Sequence, residues 1–251
     1  MNKKKFTAIL PCRVGGTRLY GKPMQLLDIE NRITILEYLV SYLKQSQHID
    51  SVCLAIANGK ENHVFAKLAE KNDWKYVFGE ENDMLGRTLK AVDKFNVEIM
   101  FINSTESPFL FYDHIDKLYE QHVEDRFDLS FFSHLPDGAG YHIINTSALR
   151  KSYKNASDRH KELLTAYIFD NKEQFKLNIR LPENKLRRSD IRITVDYPED
   201  LVFCRKVYKD LQGYKNLIKI SDIVDYWDKN EIIRKPVSEI GVDWGHGRIW
   251  E

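Results

Sequence analysis

Four short apolar runs, Phe6 to Leu10, Ser51 to Ala57, Lys75 to Gly79 and Val97 to Asn103, alternate with segments whose apolar residues return at helical spacing. Ile33, Leu36, Leu39, Val40 and Leu43 mark the first such segment, and Thr34-x-x-Glu37 supplies a capping box at its start. Helices over Glu61 to Asn72 and Asn82 to Phe95 follow. Strands alternating with helices build βαβ units, so the pattern predicts an α/β fold with a mostly parallel central sheet covered on both faces. Beyond position 127 the rhythm loosens into a smaller mixed β region. Phe127 to Ser133, Tyr141 to Asn145, Lys176 to Leu181 and Ile191 to Val195 read as strands, and Asp158 to Asn171 as a helix. Pro198 suits the first turn of a last helix running to about Leu211, where its missing N–H costs nothing. Ligands of such sheets sit beyond the carboxyl ends of the strands. The loops after Leu10, Ala57, Asn103 and Val195 are therefore the ones to examine.

A chain of 251 residues, 43% hydrophobic, can bury the core of one large domain, and we expect a single domain over 1–251. No apolar run approaches the roughly 18 residues needed to cross a bilayer, and the stretch after Lys3-Lys4-Lys5 is too brief for a secretory signal. A cytoplasmic protein without membrane partners is expected. Cys12, Cys53 and Cys204 stand far apart in apolar segments, as buried, inert thiols would. A net charge of +1 argues against a general nucleic-acid binder. That balance is not local, however. Before Asp28 the chain carries Lys3, Lys4, Lys5, Arg13, Arg18 and Lys22 and no carboxylate.

The last three of those cations lie in Arg13 to Pro23, RVGGTRLYGKP, directly after the first strand. From Gly16 the stretch reads G-x-x-x-x-G-K, one residue short of a P-loop. Pro23 stands where a P-loop needs a hydroxyl for Mg²⁺, and the next helical pattern begins about ten residues later rather than at once. The dinucleotide fingerprint G-x-G-x-x-G is absent as well. Two readings remain: a glycine turn with basic flanks, or a loop whose backbone N–H groups approach a polyphosphate while Arg13, Arg18 and Lys22 add charge. The second suits a nucleoside triphosphate.

Leu10 to Pro23, LPCRVGGTRLYGKP, resembles the x-A-R-x-G-S-x-R-L-x-G-K-P opening of the cytidylyltransferases that make CMP-linked acidic sugars, the CMP-Kdo and acylneuraminate synthetases, and more closely their spore-coat-polysaccharide branch. Cys12 replaces the usual alanine and Gly16 the usual serine. Gly79 to Arg87 resembles the family's G-x-x-x-D-V-L-x-R segment beside the nucleotide, and Arg159 to Ile168 resembles R-E-H-V-T-P-Y-I of the closer branch. Arg192 to Asp200, RITVDYPED, resembles R-L-T-V-D-Y-P-E-D almost letter for letter. The departure is at Asn103 to Pro108, where Glu106 occupies the place of the metal-binding aspartate in G-D-x-P.

The resemblance implies a Rossmann-like nucleotidyltransferase (GT-A-like) fold, with 1–110 as a nucleotide-binding half and 111–251 as an acceptor-binding and dimerisation half of a homodimer. It implies attack by an acceptor oxygen on the α-phosphorus of CTP, with pyrophosphate leaving and Mg²⁺ held by Glu106 and Asp196. Leu10, Pro11, Arg13, Gly15, Gly16, Thr17, Arg18, Lys22, Asp83, Arg87 and Glu106 would bind the nucleotide. Lys22, Arg18 and Asp196 would be catalytic, and His142, His160, Arg187 and Arg188 would meet an anionic acceptor, a sugar or small acid for surface polysaccharide assembly. A sugar-nucleotide-dependent glycosyltransferase, whose Asp-x-Asp motif does not occur here, and a nucleotide-binding protein without turnover are the alternatives. The tail Gly241 to Glu251, with Trp244, Trp250, Asp243 and His246, is too aromatic for a disordered end and is expected to fold back on the body or on a second subunit.

Overall fold

The computed structural model describes residues 4–230, so the aromatic tail lies outside the described residues. Its frame is a seven-stranded sheet in the order β5-β4-β1-β6-β8-β7-β9, made of Phe6–Cys12 (β1), Ser51–Ala57 (β4), Lys75–Gly79 (β5), Ile99–Ile102 (β6), Leu129–Phe132 (β7), His142–Asn145 (β8) and Leu177–Arg180 (β9). Leu26–Asp28 (β2) and Ile33–Thr34 (β3) form a separate two-stranded ribbon. β5, β4, β1 and β6 run parallel; β8 alone is reversed, antiparallel to both β6 and β7, and β9 is parallel to β7. The sheet is thus mostly parallel, as the alternation of runs predicts.

Strand periodicity assigns the two faces. Along β1, Phe6, Ala8, Leu10 and Cys12 enter one core while Ile9 enters the other; in β6, Ile99 and Phe101 divide from Met100 and Ile102 in the same way. The first core is roofed by Ile35–Leu43 (α1), His63–Lys71 (α2), Ile115–Glu124 (α4), Pro198–Asp210 (α8) and Ile220–Lys229 (α9), through Leu36, Phe65, Leu118, Leu201 and Ile223. The second lies under Met84–Phe95 (α3), Thr146–Asn155 (α5) and Ala166–Asp170 (α7), through Leu85, Leu89, Leu149 and Ile168. The capping box is formed: Thr34 Oγ1 accepts from the Glu37 N–H, and Glu37 accepts from the Thr34 N–H at 3.0 Å.

Two expected elements differ. Asp158 to Asn171 is not one helix but two short ones, Asp158–Glu162 (α6) and α7, separated at Leu163 to Thr165, with Leu164 turned into the second core. Ile191 to Val195 forms no strand. It is extended and joined to the rest by one isolated bridge, Asp137 to Arg192, and by the Val195 N–H to Glu106 O bond at 3.0 Å. Its alternation reflects burial of Ile191, Ile193 and Val195 without a continuous ladder. Cys12, Cys53 and Cys204 are buried free thiols, and burial pushes all three pKa values up.

Candidate active site

The loop after β1 is held at both ends. The Val14 N–H donates to Asn62 Oδ1 at 2.7 Å, and Val14 O accepts from the Gly21 N–H at 2.9 Å. Gly21 sits at φ 59°, a region glycine enters without steric cost, and Pro23 falls in the short 3₁₀ turn that follows. A Cβ at Gly16 would lie 2.6 Å from Leu19 O, so the family's serine could not replace this glycine without the loop moving. With Val14 anchored inward, Arg13, Gly15, Gly16, Thr17 and Arg18 are exposed.

Two acidic residues meet this loop. Glu106 lies on the turn after β6, where Thr105 Oγ1 donates to Pro11 O at 3.0 Å and ties the turn to the end of β1. The Val195–Glu106 backbone bond then brings Asp196 alongside. Asp196 Oδ1 accepts from Lys22 Nζ and, at 3.2 Å, from Arg18, while Oδ2 accepts from Arg192 at 2.9 Å. Burial works to raise the Asp196 pKa, but Lys22, Arg18 and Arg192 outweigh it and hold the carboxyl below its ordinary range. Asp200 fixes the arrangement from beneath, accepting from the N–H groups of Asp196 and Tyr197 at 2.8 Å each and from Arg192 at 2.9 Å.

The loop and the acids line one cavity of about 900 Å³ at the carboxyl edge of the sheet. Pro11, Arg13, Gly15, Gly16, Thr17, Arg18 and Lys22 line it, as do Arg87, Glu106, His142 and Asp196. Leu10 is in the core behind it. Arg87 reaches the wall, yet its Nε donates to Ala55 O and its Nη1 to Glu80 O and Glu81 O at 2.9–3.0 Å, so much of this buried guanidinium serves to shape the loop after β5. Asp83 caps α3 through the Gly86 N–H at 2.7 Å and is outside the cavity lining. His160 is also outside, bonded to Ser157 and, at 3.0 Å, to Asp170. Arg187 donates to Pro182 O, and Arg188 is paired with Asp190 and Asp228; neither lines the cavity.

Burial lowers the pKa of His142 to about 4, and that of His122, bonded to Ser130 Oγ, to about 4. The folded protein keeps both neutral, whereas the unfolded chain protonates them below about pH 6.5. Their stabilising contribution is full above that pH and is lost as the pH falls toward 4. Between pH 6.5 and 5 the buried His122 should remove about 2 kcal/mol of unfolding free energy, and the half-buried His142, which lines the cavity, less. Urea unfolding across this window should show that slope, and His122→Asn or His142→Asn should remove one proton's share; an unchanged slope would refute the assignment.

Sequence reasoning passed over Arg192, Asp200 and Asn62 as members of the site. The first two stand inside the quoted RITVDYPED block, which was the available signal. Nothing in the sequence ties Asn62, at the start of α2, to Val14.

Comparison with known proteins agrees with this architecture. A cytidylyltransferase family model matches residues 7–229. An uncharacterized protein of Methanocaldococcus jannaschii is 29% identical over 239 residues, covering 94% of this chain and 96% of its own length. Among solved structures, a cytidylyltransferase from Leptospira borgpetersenii superposes with a TM-score of 0.81 at 22% identity, over 92% of this chain and 96% of that one. CMP:2-keto-3-deoxy-manno-octonic acid synthetase, determined with CTP, superposes at 0.62 and 12% identity, over 83% of this chain and all (100%) of its own. The last two likenesses show a shared fold; the family match over residues 7–229 goes further, and the chain belongs to the cytidylyltransferase family of CTP-dependent nucleotidyltransferases.

Proposed function

We propose that this cavity transfers CMP from CTP to an oxygen of a small-molecule acceptor, releasing pyrophosphate. The observation that carries the reading is the convergence, in one cavity, of the glycine loop with Arg13, Arg18 and Lys22 and of two carboxylates, Glu106 and Asp196. Phosphoryl chemistry asks little covalent work of a protein; placement and charge neutralisation carry most of it. Arg13, Arg18 and Lys22 bind the β and γ phosphates and stabilise the leaving pyrophosphate. Arginine's paired donors match phosphate better than a point charge does.

The donor set fits Mg²⁺. Two carboxylates on adjoining turns, tied through the Val195–Glu106 bond, offer the hard oxygen ligands that ion takes. Among the described residues no group of three or more His, Cys, Asp or Glu is poised for a metal. Glu106 and Asp196 would hold the ion, which when bound supplies charge neutralisation at the phosphates. Glutamate at 106 reaches about one methylene further than the family's aspartate, and the turn held by Thr105 sets where its carboxylate arrives.

The resemblance extends the reading to an anionic sugar or related small acid as acceptor, to surface polysaccharide biosynthesis and to a cytoplasmic homodimer. Among the described residues no helix is long and apolar enough to cross a membrane. Pyrophosphate release measured with each of the four nucleoside triphosphates and a panel of acceptors tests the reaction. CTP should be strongly preferred, and Glu106→Gln should lower turnover about a hundredfold while CTP affinity changes little. Turnover unchanged in that variant would remove Glu106 from the site.

A further inference from the structure

Of the four residues expected to meet an anionic acceptor, His160, Arg187 and Arg188 lie outside the cavity lining, and burial keeps His142 neutral at physiological pH. The acid group of such an acceptor therefore needs a different partner. Three strand steps, β1 to β6 to β8 to β7, separate the glycine loop from the end of β7, about 14 Å at the usual spacing. With the triphosphate over the glycine loop, the acceptor lies toward β8 and β7. A Cβ at Gly140, in the lining just before β8, would meet nothing within 4 Å, so this end has room for a ligand.

In the lining drawn from residues 131–142 and 162–165, the exposed basic side chain is His134, two residues past the end of β7. Arg192 lines the cavity as well, but it is 3% exposed and offers a ligand little surface. His134 has φ 64°, in the left-handed region that glycine enters without steric cost and other residues rarely adopt. The turn leads the chain back along residues 191–193, where the Asp137 N–H donates to Ile191 O at 2.9 Å and Asp137 O accepts from the Ile193 N–H at 2.8 Å. Backbone geometry favours glycine at 134, yet the position carries an imidazole in the cavity lining.

Ser133 orients that ring. Its Oγ lies 3.0 Å from His134 Nδ1 and 3.5 Å from Arg180 O, so the hydroxyl donates across the shorter contact. Nδ1 then accepts, the ring proton sits on Nε2, and Nε2 has no partner among the described residues. We propose that His134 binds the carboxylate of the acceptor, donating to it from Nε2, and so sets the preference for an acid. Hydrogen bonds to an ionised acceptor are the stronger ones. Glu162, exposed at the end of α6 in the same lining, suits the acceptor's hydroxyls, which donate to a carboxylate. The proposal rests on the cytidylyl-transfer reading of the same cavity and on its anionic acceptor.

The test uses the full chain with Mg²⁺, CTP and three sugar acids, glucuronate, gluconate and N-acetylneuraminate, each beside its neutral amide. CTP binding is measured first by calorimetry; acceptor binding and pyrophosphate release follow at millimolar acceptor. The wild type should favour at least one acid over its amide by about tenfold or more. In His134→Gly the KM for that acid should rise about tenfold, the preference should shrink, and the KM for CTP should not move. His134→Gln, which keeps an N–H donor, should recover part of the preference. Denaturant unfolding of His134→Gly should change little, because relief at φ 64° offsets the added freedom of the unfolded chain. A weakened acid in that variant then reports binding and not misfolding. CTP binding with the acid's KM unchanged in His134→Gly, or a wild type that favours no acid over its amide, overturns the role of His134 and leaves cytidylyl transfer standing. A wild type that does not bind CTP brings down both readings.

Discussion

Asp196→Asn is expected to reduce CMP transfer about a thousandfold, and to tighten the binding of CTP in the absence of divalent metal about tenfold. The two effects have opposite signs because Asp196 has two roles. As the proposed metal ligand it would serve the transition state. As a carboxylate bonded to Lys22 and Arg18 it competes with the triphosphate for the very cations that would hold it. Those cations keep its pKa below the ordinary carboxylate range, so the competing charge is fully present at neutral pH. With Mg²⁺ held by Asp196 and Glu106 as proposed, the carboxylate would be neutralised and Lys22 and Arg18 would be left to the phosphates. Calorimetry of CTP binding with and without a chelator, beside pyrophosphate release, reads both effects. Metal-free affinity that does not change would mean the ion pairs offer no competition, and turnover that does not change would remove Asp196 from the chemistry. Stability should fall modestly, because Arg192 keeps its bond to Asp200 while the half-buried Lys22 loses its carboxylate partner.

The parallel half of the sheet was legible because its strands are continuous apolar runs separated by helical periods; β5 is found at Lys75–Gly79, the range its sequence predicts. The second half was less so. Ile191 to Val195 alternates as a strand does, but pattern reports burial, not pairing, and here the burial is achieved without a ladder. α4, α5 and α9 passed unread: His122 and Ser152 interrupt the buried faces of the first two, whereas Ile220, Ile223, Val224 and Trp227 of α9 recur at helical spacing and were legible but overlooked. The glycine loop and the two acids could be read because cations, glycines and strand-end carboxylates lie in compact stretches of sequence. Arg187, Arg188 and His160 show the limit of the same reasoning: a basic residue near a sheet edge finds an acidic neighbour or a carbonyl as readily as a ligand. Asp190, Asp228, Asp170 and the Pro182 carbonyl are the partners they found.

Arg192→Met should be the most destabilising single change at the site, costing about 3–5 kcal/mol of unfolding free energy. Arg192 and Asp200 are 3% and 1% exposed, and their bond joins the extended segment before Asp196 to the first turn of α8. Removing the guanidinium strands a buried carboxylate that retains only the N–H groups of Asp196 and Tyr197. Burial already raises the Asp200 pKa, outweighing those N–H groups and Arg192, so the folded protein favours the protonated form relative to the unfolded chain. Loss of Arg192 raises it further. The deficit of Arg192→Met should therefore be full at neutral pH and shrink as the pH falls through the raised value, where a neutral carboxyl replaces the uncompensated charge. Asp200→Asn added to Arg192→Met should recover much of the loss at pH 7, because the amide oxygen still accepts both N–H bonds and no buried charge remains. Denaturant unfolding of the two single variants and the double variant at pH 7 and pH 5 gives the coupling directly. A deficit equal at both pH values, or no recovery in the double variant, would mean that Arg192 acts through its packing alone and not through the charge of Asp200.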